Sequence, residues 1–566
     1  MGDVTEFIVD GTSGLSPGDV SGSIMVVGCC SDGIPGKAYL LGKDSDLDGL
    51  LGAGELVTRL RDIFATGGQN PVVVAVPVDG LPGGYITPVV HTGTGPDAVV
   101  TGSPILSADV VVEIVVGGAL GTATVRTSMD GGETFGIVVP TPTNGVIPIT
   151  DTGATLTLSA GTHVAGNTYR FVVMAPIGPV SYTGGEAADG AAGNITVSGT
   201  VVAGADVVFT IISSGGWNDG TYKLSVDGGD SWDAVRTIPV DGIIDVGNTG
   251  AVITVGEGAL VAGDTYSFIL NAPVPSISAV MTAIEQPLAL YDVESVYVVG
   301  PSDAVDWATM GAMADTLWNA HRPTYFRAET RLRYFLETMD SWVSDLATEV
   351  SGFAHRFVTV CAAFGEVSDT TGQRLPRSWG GLLAGRMMAL PVMRAAGRVR
   401  DGGISQGRLP DDFTSAHQTM LENAGYVTAK RYAGLSAAYW GDGRTLADPT
   451  SDYQYEEVVR TVFKAVRKAR IAALKSMYDE AGDALLEGGA SGINYLKANI
   501  ETALSSMVAA VPSEMAGFVV EIPPGQDIVN NGVAVNITLI GLPIIRSINL
   551  YASYVYAGSA FDPRLV

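Results

Sequence analysis

The chain has 566 residues, 46% of them apolar and 16% charged, and a formal net charge of −27. That length exceeds what one hydrophobic core serves, so several domains are expected, and the apolar content excludes long disorder. The acidic balance excludes binding of nucleic acid or an anionic membrane through a bulk basic face.

Residues 5–10 are β-prone with no local strand to pair with, and they place Phe7, Ile8 and Val9 in an N-terminal arm spanning 1–20. Residues 23–28 read as a buried strand and 32–36 as a turn. Residues 51–66 read as a helix with Leu56, Leu60, Ile63 and Phe64 on one face, closed by Gly67 and Gly68. Residues 71–76 are a second buried strand, and 21–92 form the first part of an α/β core.

A duplication follows. Ser128-Met129-Asp130-Gly131-Gly132-Glu133-Thr134-Phe135 returns as Ser225-Val226-Asp227-Gly228-Gly229-Asp230-Ser231-Trp232, 97 residues later. Ala165-Gly166-Asn167-Thr168-Tyr169 returns at the same offset as Ala262-Gly263-Asp264-Thr265-Tyr266. Two copies of one β module therefore lie in tandem, at about 95–176 and 192–273, joined by the small-residue linker 184–193. Their short β-branched runs between Gly, Asn and Asp suit antiparallel sandwiches of immunoglobulin-like outline. Each duplicated motif resembles the Asp-box of sialidase propellers. That box is a hairpin turn locked by its Asp and Gly, with the aromatic packed inside, so Asp130, Gly132, Asp227 and Gly229 are expected to be structural. A propeller would need more copies at shorter spacing.

Strand and helix alternate again over 295–300, 304–320, 323–328, 331–349 and 357–362, as a helix-covered, largely parallel sheet requires. Residues 453–478 read as a long helix with Val458, Val462, Val466 and Ile471 at helical spacing. Arg460, Lys464, Arg467 and Lys468 give it a basic face that stands out in an acidic chain, and a solvated face paired with local Glu is one reading of it. Three strand-like runs close the chain, at 517–522, 533–539 and 548–556, the last leading into a tail. Core residues are thus expected over 274–545 and a C-terminal arm over 546–566, with Ile548, Leu550 and Tyr554 as pairing residues. Both arms carry strand-like segments without an obvious local partner, and such edges invite completion by another chain.

Signals for catalysis fail on their context. Gly33, Gly36 and Lys37 lack the spacing of a phosphate-binding loop. Gly403-Ile404-Ser405-Gln406-Gly407 follows a polar stretch rather than the buried strand of a nucleophile elbow. The five histidines are scattered, and Cys29, Cys30 and Cys361 fit buried free thiols better than zinc ligands. No cofactor, metal or catalytic residue is expected, nor a secretory leader or a membrane span.

Val26-Val27-Gly28, Gly33-Ile34-Pro35-Gly36, the helix ending Ile63-Phe64-Ala65-Thr66-Gly67-Gly68, and the strand after it resemble the first domain of the contractile tail sheath family of myophages, contractile bacteriocins and related injection systems. Ser378-Trp379-Gly380-Gly381-Leu382-Leu383-Ala384-Gly385-Arg386 is similar to that family's Ser-x-x-Val-Ala-Gly helix. Ala438-Tyr439-Trp440-Gly441-Asp442-Gly443-Arg444-Thr445-Leu446 is similar to its Val-Trp-Gly-x-Arg-Thr-Leu motif, with one extra residue. Residues 533–551 are similar to its C-terminal strands. The likeness covers about 1–90 and 274–566, while the β modules lie outside it.

The resemblance implies a non-enzymatic structural subunit with a sheath core, two inserted modules and terminal strand arms. Such subunits stack as six-membered rings around an inner tail tube and contract from a metastable extended state to drive the tube through an envelope. It implies partners in further copies of the chain, the tube, the baseplate and the tail terminator, and a place in a virion tail assembled in the host cytoplasm. It also makes Arg460, Lys464, Arg467 and Lys468 candidates for pairing with carboxylates of the tube or an adjacent subunit. A phage, a bacteriocin-like particle and a cell-anchored injector fit equally. The alternative from the residues is a glycan-binding or glycoside-cleaving surface protein built on the Asp-box modules.

Overall fold

A computed structural model describes residues 19–184, 195–258, 260–335, 337–368, 372–482 and 491–557, together with 559, 561 and 563–565. The linker expected at 184–193 and Phe7, Ile8 and Val9 fall almost wholly or wholly outside the described residues. The chain divides into two compact units, 1–471 and 472–566.

The first unit is organised by a six-stranded sheet. Its order is Tyr39–Gly42, Val72–Pro77, Ile24–Gly28, Ser295–Pro301, Tyr325–Glu329, Val358–Cys361. All neighbours run parallel except Tyr39–Gly42, which pairs antiparallel with Val72–Pro77. Successive residues feed two separate cores. Met25, Val27, Val74, Val76, Val296 and Val298 pack on one face. Ile24, Val26, Val73, Ala75, Tyr297 and Val299 pack on the other. Period-two alternation with apolar residues on both faces is what a helix-covered sheet demands. Helices Ile277–Leu290, Ala304–Asn319 and Met339–Glu349 cover the first face, and Glu55–Thr66 covers the second.

Helix Glu55–Thr66 is met by helix Gly380–Ala389 at backbone distance. A Cβ on Gly381 would lie 3.0 Å from the Arg59 carbonyl oxygen, and one on Gly385 would lie 2.5 Å from that of Ile63. The two glycines, one turn apart, permit this approach. The helix expected over 331–349 forms only from Met339. Thr338 caps it, its Oγ1 accepting from the Ser341 N–H at 3.2 Å, and Arg331 is drawn instead into a bidentate pair with Glu337 at 2.7 Å.

Between strands Val72–Pro77 and Ser295–Pro301 the chain leaves the sheet and builds two β modules. Gly80–Leu81 pairs antiparallel with Val274–Pro275, so the departing and returning segments lie side by side. In the first module, Val139–Pro140, Thr124–Ser128, Ala108–Val116, Thr168–Met174 and Tyr85–Ile86 form one sheet, with Val90–Thr92 also pairing to Thr168–Met174. Val146–Pro148, Ala154–Leu158 and Ala98–Gly102 form the other, and Val110, Ile114, Leu156 and Phe171 fill the space between them. The second module repeats the plan, even to an irregularity at Ile211 and Ser213 that matches one at Ile114 and Val116. Strands Tyr85–Ile86 and Val90–Thr92 hydrogen-bond into the first module, so a boundary at 95 cuts through its sheet and is corrected. Likewise Ser181–Thr183 belongs to the second module's sheet.

The modules are braced. Asn271 donates from its side chain to the Ala175 carbonyl and from its backbone to that of Pro176, both at 2.8 Å, joining the exits of the two repeats. The Tyr85 hydroxyl accepts from the Phe335 N–H at 3.1 Å, and its ring stacks on Tyr334 at 4.6 Å. Beside this brace lies a cleft of about 560 Å³ lined by Pro88, Ser302, Asp303, Asp306, Arg331 and Glu349. Burial, then Asp303, push the Glu349 carboxyl up to about 7 against the opposing pull of Arg331.

Buried ion pairs join the two halves of the split sheet. Arg59 donates to Glu329 at 2.8 Å, and both are nearly inaccessible. Glu329 also accepts from the Tyr297 hydroxyl and, at 3.2 Å, from the Gly300 N–H. One turn along the same helix, Asp62 accepts two bonds from Arg377, at 2.7 and 3.1 Å. Each pair spans the insertion.

Two outcomes follow from these pairs and the cleft. Arg59→Ala leaves Glu329 buried without its counter-ion and is expected to cost about 3–5 kcal/mol of unfolding free energy, whereas Arg59→Met with Glu329→Leu costs much less. Equal losses from the single and double variants in denaturant titrations would refute this. Glu349 in the folded chain holds a proton that the unfolded chain, at 4.5, releases. Stability is therefore expected to fall as pH rises from about 4.5 to about 7, with Glu349→Gln flattening that slope. Unfolding midpoints across the window decide it, and an unchanged slope in the variant would count against the cleft's role.

Candidate functional site

The second unit is small. Helix Ser491–Val508 buries Ile500, Leu504 and Met507, and strand Gly517–Glu521 contributes the buried Val520. That strand pairs antiparallel with Asn536–Ile540, in register from Gly517↔Ile540 to Glu521↔Asn536. Among the described residues neither strand has a second neighbour, so each presents an open edge. A two-stranded sheet is marginal by itself and gains from an added strand.

Beyond Ile540 the chain runs on without helix or strand through 541–556. The strand expected at 548–556 finds no ladder within its own chain among the described residues. Ile548, Leu550 and Tyr554 are exposed, as are Tyr551 and Tyr556, and Leu550 is 89% accessible. Burying a large apolar side chain is worth about 1.5–3 kcal/mol, so this segment carries a sizeable unspent drive toward an apolar surface. Positions 548, 550, 552, 554 and 556 would share one face of an extended strand.

The basic helix is a different case. It runs Glu456–Leu474, and the side it turns inward is not the Val458, Val462, Val466, Ile471 stripe but one bearing Val459, Arg460 and Phe463. Arg460, 1% exposed, binds Glu294 at 3.0 and 3.2 Å and the Leu390 carbonyl at 3.2 Å. Glu294 accepts in addition from the Gly22 N–H at 2.6 Å. One turn earlier Glu456 pairs with Arg327 and accepts from the Tyr325 hydroxyl at 2.6 Å. Arg467 pairs with Asp292 and donates to the Val293 carbonyl at 3.1 Å. Lys464 reaches Asp19 at 3.0 Å. Burial tends to raise the Asp19 carboxyl, but bonds from Ser21 and Lys464 outweigh it and hold it below the usual range.

Arg460 is thus withdrawn as a contact for another subunit, because a buried arginine bound to a buried glutamate has no accessible charge to offer. Lys464 and Arg467 serve chiefly to fix the helix against the strand ends and the root of the N-terminal arm. Lys468 sits half-buried on the same helix. The signal that reading the sequence missed is the spacing 456, 460, 464, 467, one charged stripe whose partners Arg327, Glu294, Asp19 and Asp292 lie far away in the chain.

The duplicated turns are built alike. The Asp130 carboxylate accepts from Ser128 Oγ at 2.6 Å and from the Thr134 N–H at 2.9 Å, and Ser128 Oγ accepts from the Gly132 N–H at 2.9 Å. Asp227 accepts from Ser225 Oγ at 2.7 Å and the Ser231 N–H at 2.8 Å, and Ser225 Oγ accepts from Gly229 at 2.9 Å. Gly132 and Gly229 have φ of 102° and 100°, a region that only glycine occupies at little cost. Hydrogen bonds, that from Ser128 first, depress the Asp130 carboxyl well below the ordinary range. The aromatics do not pack inside, which corrects that expectation. Phe135 lies under Arg126 at 4.2 Å and Trp232 under Lys223 at 3.7 Å, on the outer side of each sheet.

Among the described residues no group of three or more His, Cys, Asp or Glu is arranged to hold a metal ion, and no helix is long and apolar enough to cross a membrane.

Residues 1–444 match the DUF2586 N-terminal domain and 452–559 the DUF2586 C-terminal domain. A curated relative named "Putative tail sheath protein", from Haemophilus phage HP1 (strain HP1c1), is 33% identical over 111 residues, 18% of this chain. The chain spans only 30% of that relative's length. Among solved structures, the sheath tail protein of Desulfitobacterium hafniense is 11% identical, with 96% of this chain and 100% of that one covered at a TM-score of 0.42. The sheath complex of an extracellular contractile injection system in the contracted state is 16% identical, with 52% and 76% covered at a TM-score of 0.38. The curated match agrees with the likeness to tail sheath proteins carried by the sequence motifs. With both parts of one family pattern matched in order along nearly its full length, the chain belongs to the DUF2586 family.

Proposed function

We propose that this chain is the structural subunit of a contractile tail sheath. In this reading copies stack as hexameric rings around an inner tube and contract from a metastable extended state. One observation carries it: an extended, apolar C-terminal segment follows a two-stranded sheet whose edges are open among the described residues. The segment of one copy extends the open sheet of a neighbour. Backbone ladders make such a link tolerant of sequence, and they pivot without breaking while side-chain contacts repack. The N-terminal arm, rooted at Asp19 on Lys464, supplies the second link.

The parts then take separate tasks. Segments 21–81 and 274–545 form the core, and 1–20 and 546–566 the exchanged arms. The tandem repeats are immunoglobulin-like sandwiches that project outward. Lys468, half-buried on the basic helix, is a contact for the tube or an adjacent subunit. The baseplate and tail terminator bound the polymer, which works as part of a virion tail or an injection machine. A chain without a nucleotide-binding loop draws the work of contraction from the energy stored in its extended lattice.

The test is electron microscopy of the full chain beside one ending at residue 540. The full chain is expected to form tubes or stacked rings. The shortened chain is expected to keep its circular dichroism and unfolding midpoint but stay dispersed. Tubes of ordinary length from the shortened chain would sink the arm's role.

A further inference from the structure

The duplication supplies an internal control. Among the described residues, surface positions of one module have counterparts on the same fold in the other, which separates what the fold needs from what a partner reads. In the second module the Asp227 turn is seated on the core, where the Arg374 N–H donates to Asp227 Oδ2 at 3.3 Å and Asp227 is 5% exposed. Its counterpart in the first module, the Asp130 turn, faces solvent.

Beside the Asp130 turn runs Gly136-Ile137-Val138-Val139-Pro140, ending in the outermost strand of the larger sheet. Val139–Pro140 pairs with Thr124–Ser128 on one side and, among the described residues, with no strand on the other. Ile137 is 84% accessible, and Val138, Val139 and Met129 are exposed around it. Open edges of this kind are ordinarily blunted by charge. The second module does so in part, carrying Ala234 and Arg236 where the first has Ile137 and Val139, while Val235 keeps the exposed position of Val138. The fold therefore tolerates the blunted edge, and the first module lacks it. The nearby cations are already engaged, since Arg126 is held over Phe135 and paired with Glu113 at 2.6 Å, and Arg170, beside Gly131, is paired with Asp109.

We propose that this edge, residues 136–140 with Met129 and the Asp130 turn, is an interface with a second copy of this chain. The inference rests on the sheath reading and goes beyond it, giving the first module a place in the lattice. The twin turn indicates the chemistry, a carboxylate receiving a backbone N–H from an extended segment of this same chain. A polymer also holds identical copies side by side at high effective concentration.

The test transposes residues that the twin already carries. Ile137→Ala with Val139→Arg is expected to leave the unfolding midpoint unchanged while assembled particles are lost or come apart at lower denaturant. In a second arm, Ile137→Cys is treated with a bifunctional maleimide in assembled particles and is expected to cross-link one copy to another. The wild-type chain measures the background from Cys30, since burial pushes the Cys29 and Cys361 thiols up to about 12. Particles of wild-type stability from the double variant, with no link between copies from position 137, would overturn the proposal and leave the sheath reading standing. Cross-linking solely to a different protein would overturn it too. A wild-type chain that stays monomeric would sink both.

Discussion

The Arg59–Glu329 pair, with Asp62–Arg377 one turn away, is the constraint on which the first unit depends. The central sheet is assembled from two stretches of chain separated by two complete modules. Its middle pair, Ile24–Gly28 against Ser295–Pro301, can form only when those stretches meet. Backbone ladders alone would leave the covering helices free to shift. The two arginine–carboxylate pairs fix helix Glu55–Thr66 to the far half of the sheet and to the approach of helix Gly380–Ala389. A buried pair is costly to form and costlier to break singly, so it favours one register over nearby alternatives more than it adds net stability. The proposed sheath role, a subunit that transmits load, has use for that kind of definition.

The same logic explains why a tandem insertion is tolerated at this place. The departing and returning segments are hydrogen-bonded neighbours at Gly80–Leu81 and Val274–Pro275. Closing a long loop costs little more than closing a short one, and here the loop is itself folded. Each repeat begins with a short strand that pairs to its own last long strand, Tyr85–Ile86 in the first and Ser181–Thr183 in the second. A repeat whose ends are adjacent can be duplicated without disturbing what holds it. The fixed 97-residue offset records that event, and the matching irregularities at Ile114 and Ile211 show how closely the backbones have stayed alike.

What the sequence made legible follows from the physics of each signal. Buried parallel strands announce themselves as β-branched runs, and residues 23–28, 71–76 and 295–300 were readable to within a residue or two. The duplicated turns were readable because their hydrogen bonds are local. The orientation of helix Glu456–Leu474 was not, because it carries two apolar stripes one residue apart and periodicity cannot choose between them. The partners that decide, Glu294 for Arg460 and Arg327 for Glu456, lie more than a hundred residues away. The start of the first module was missed for a similar reason, since Tyr85–Ile86 is too short to signal a strand until Thr168–Met174 is beside it.

Charge sets a further condition on any assembly of this chain. Each copy carries a formal charge of −27, so bringing copies together raises mutual repulsion, which salt screens over about 10 Å at moderate ionic strength. The arginines best suited to offset it, Arg59, Arg327, Arg377 and Arg460, are spent inside the subunit. In the proposed polymer, contacts that do not need opposite charge, namely backbone ladders and apolar burial, would add to what exposed cations such as Arg470 supply. Exposed aliphatic and aromatic residues concentrate where such contacts can be made, along 541–556 and at the edge of the first module. In the sheath proposed above, a lattice held by ladders against a standing repulsion would be strongly linked yet under tension, which is the physical character a stored-energy polymer requires.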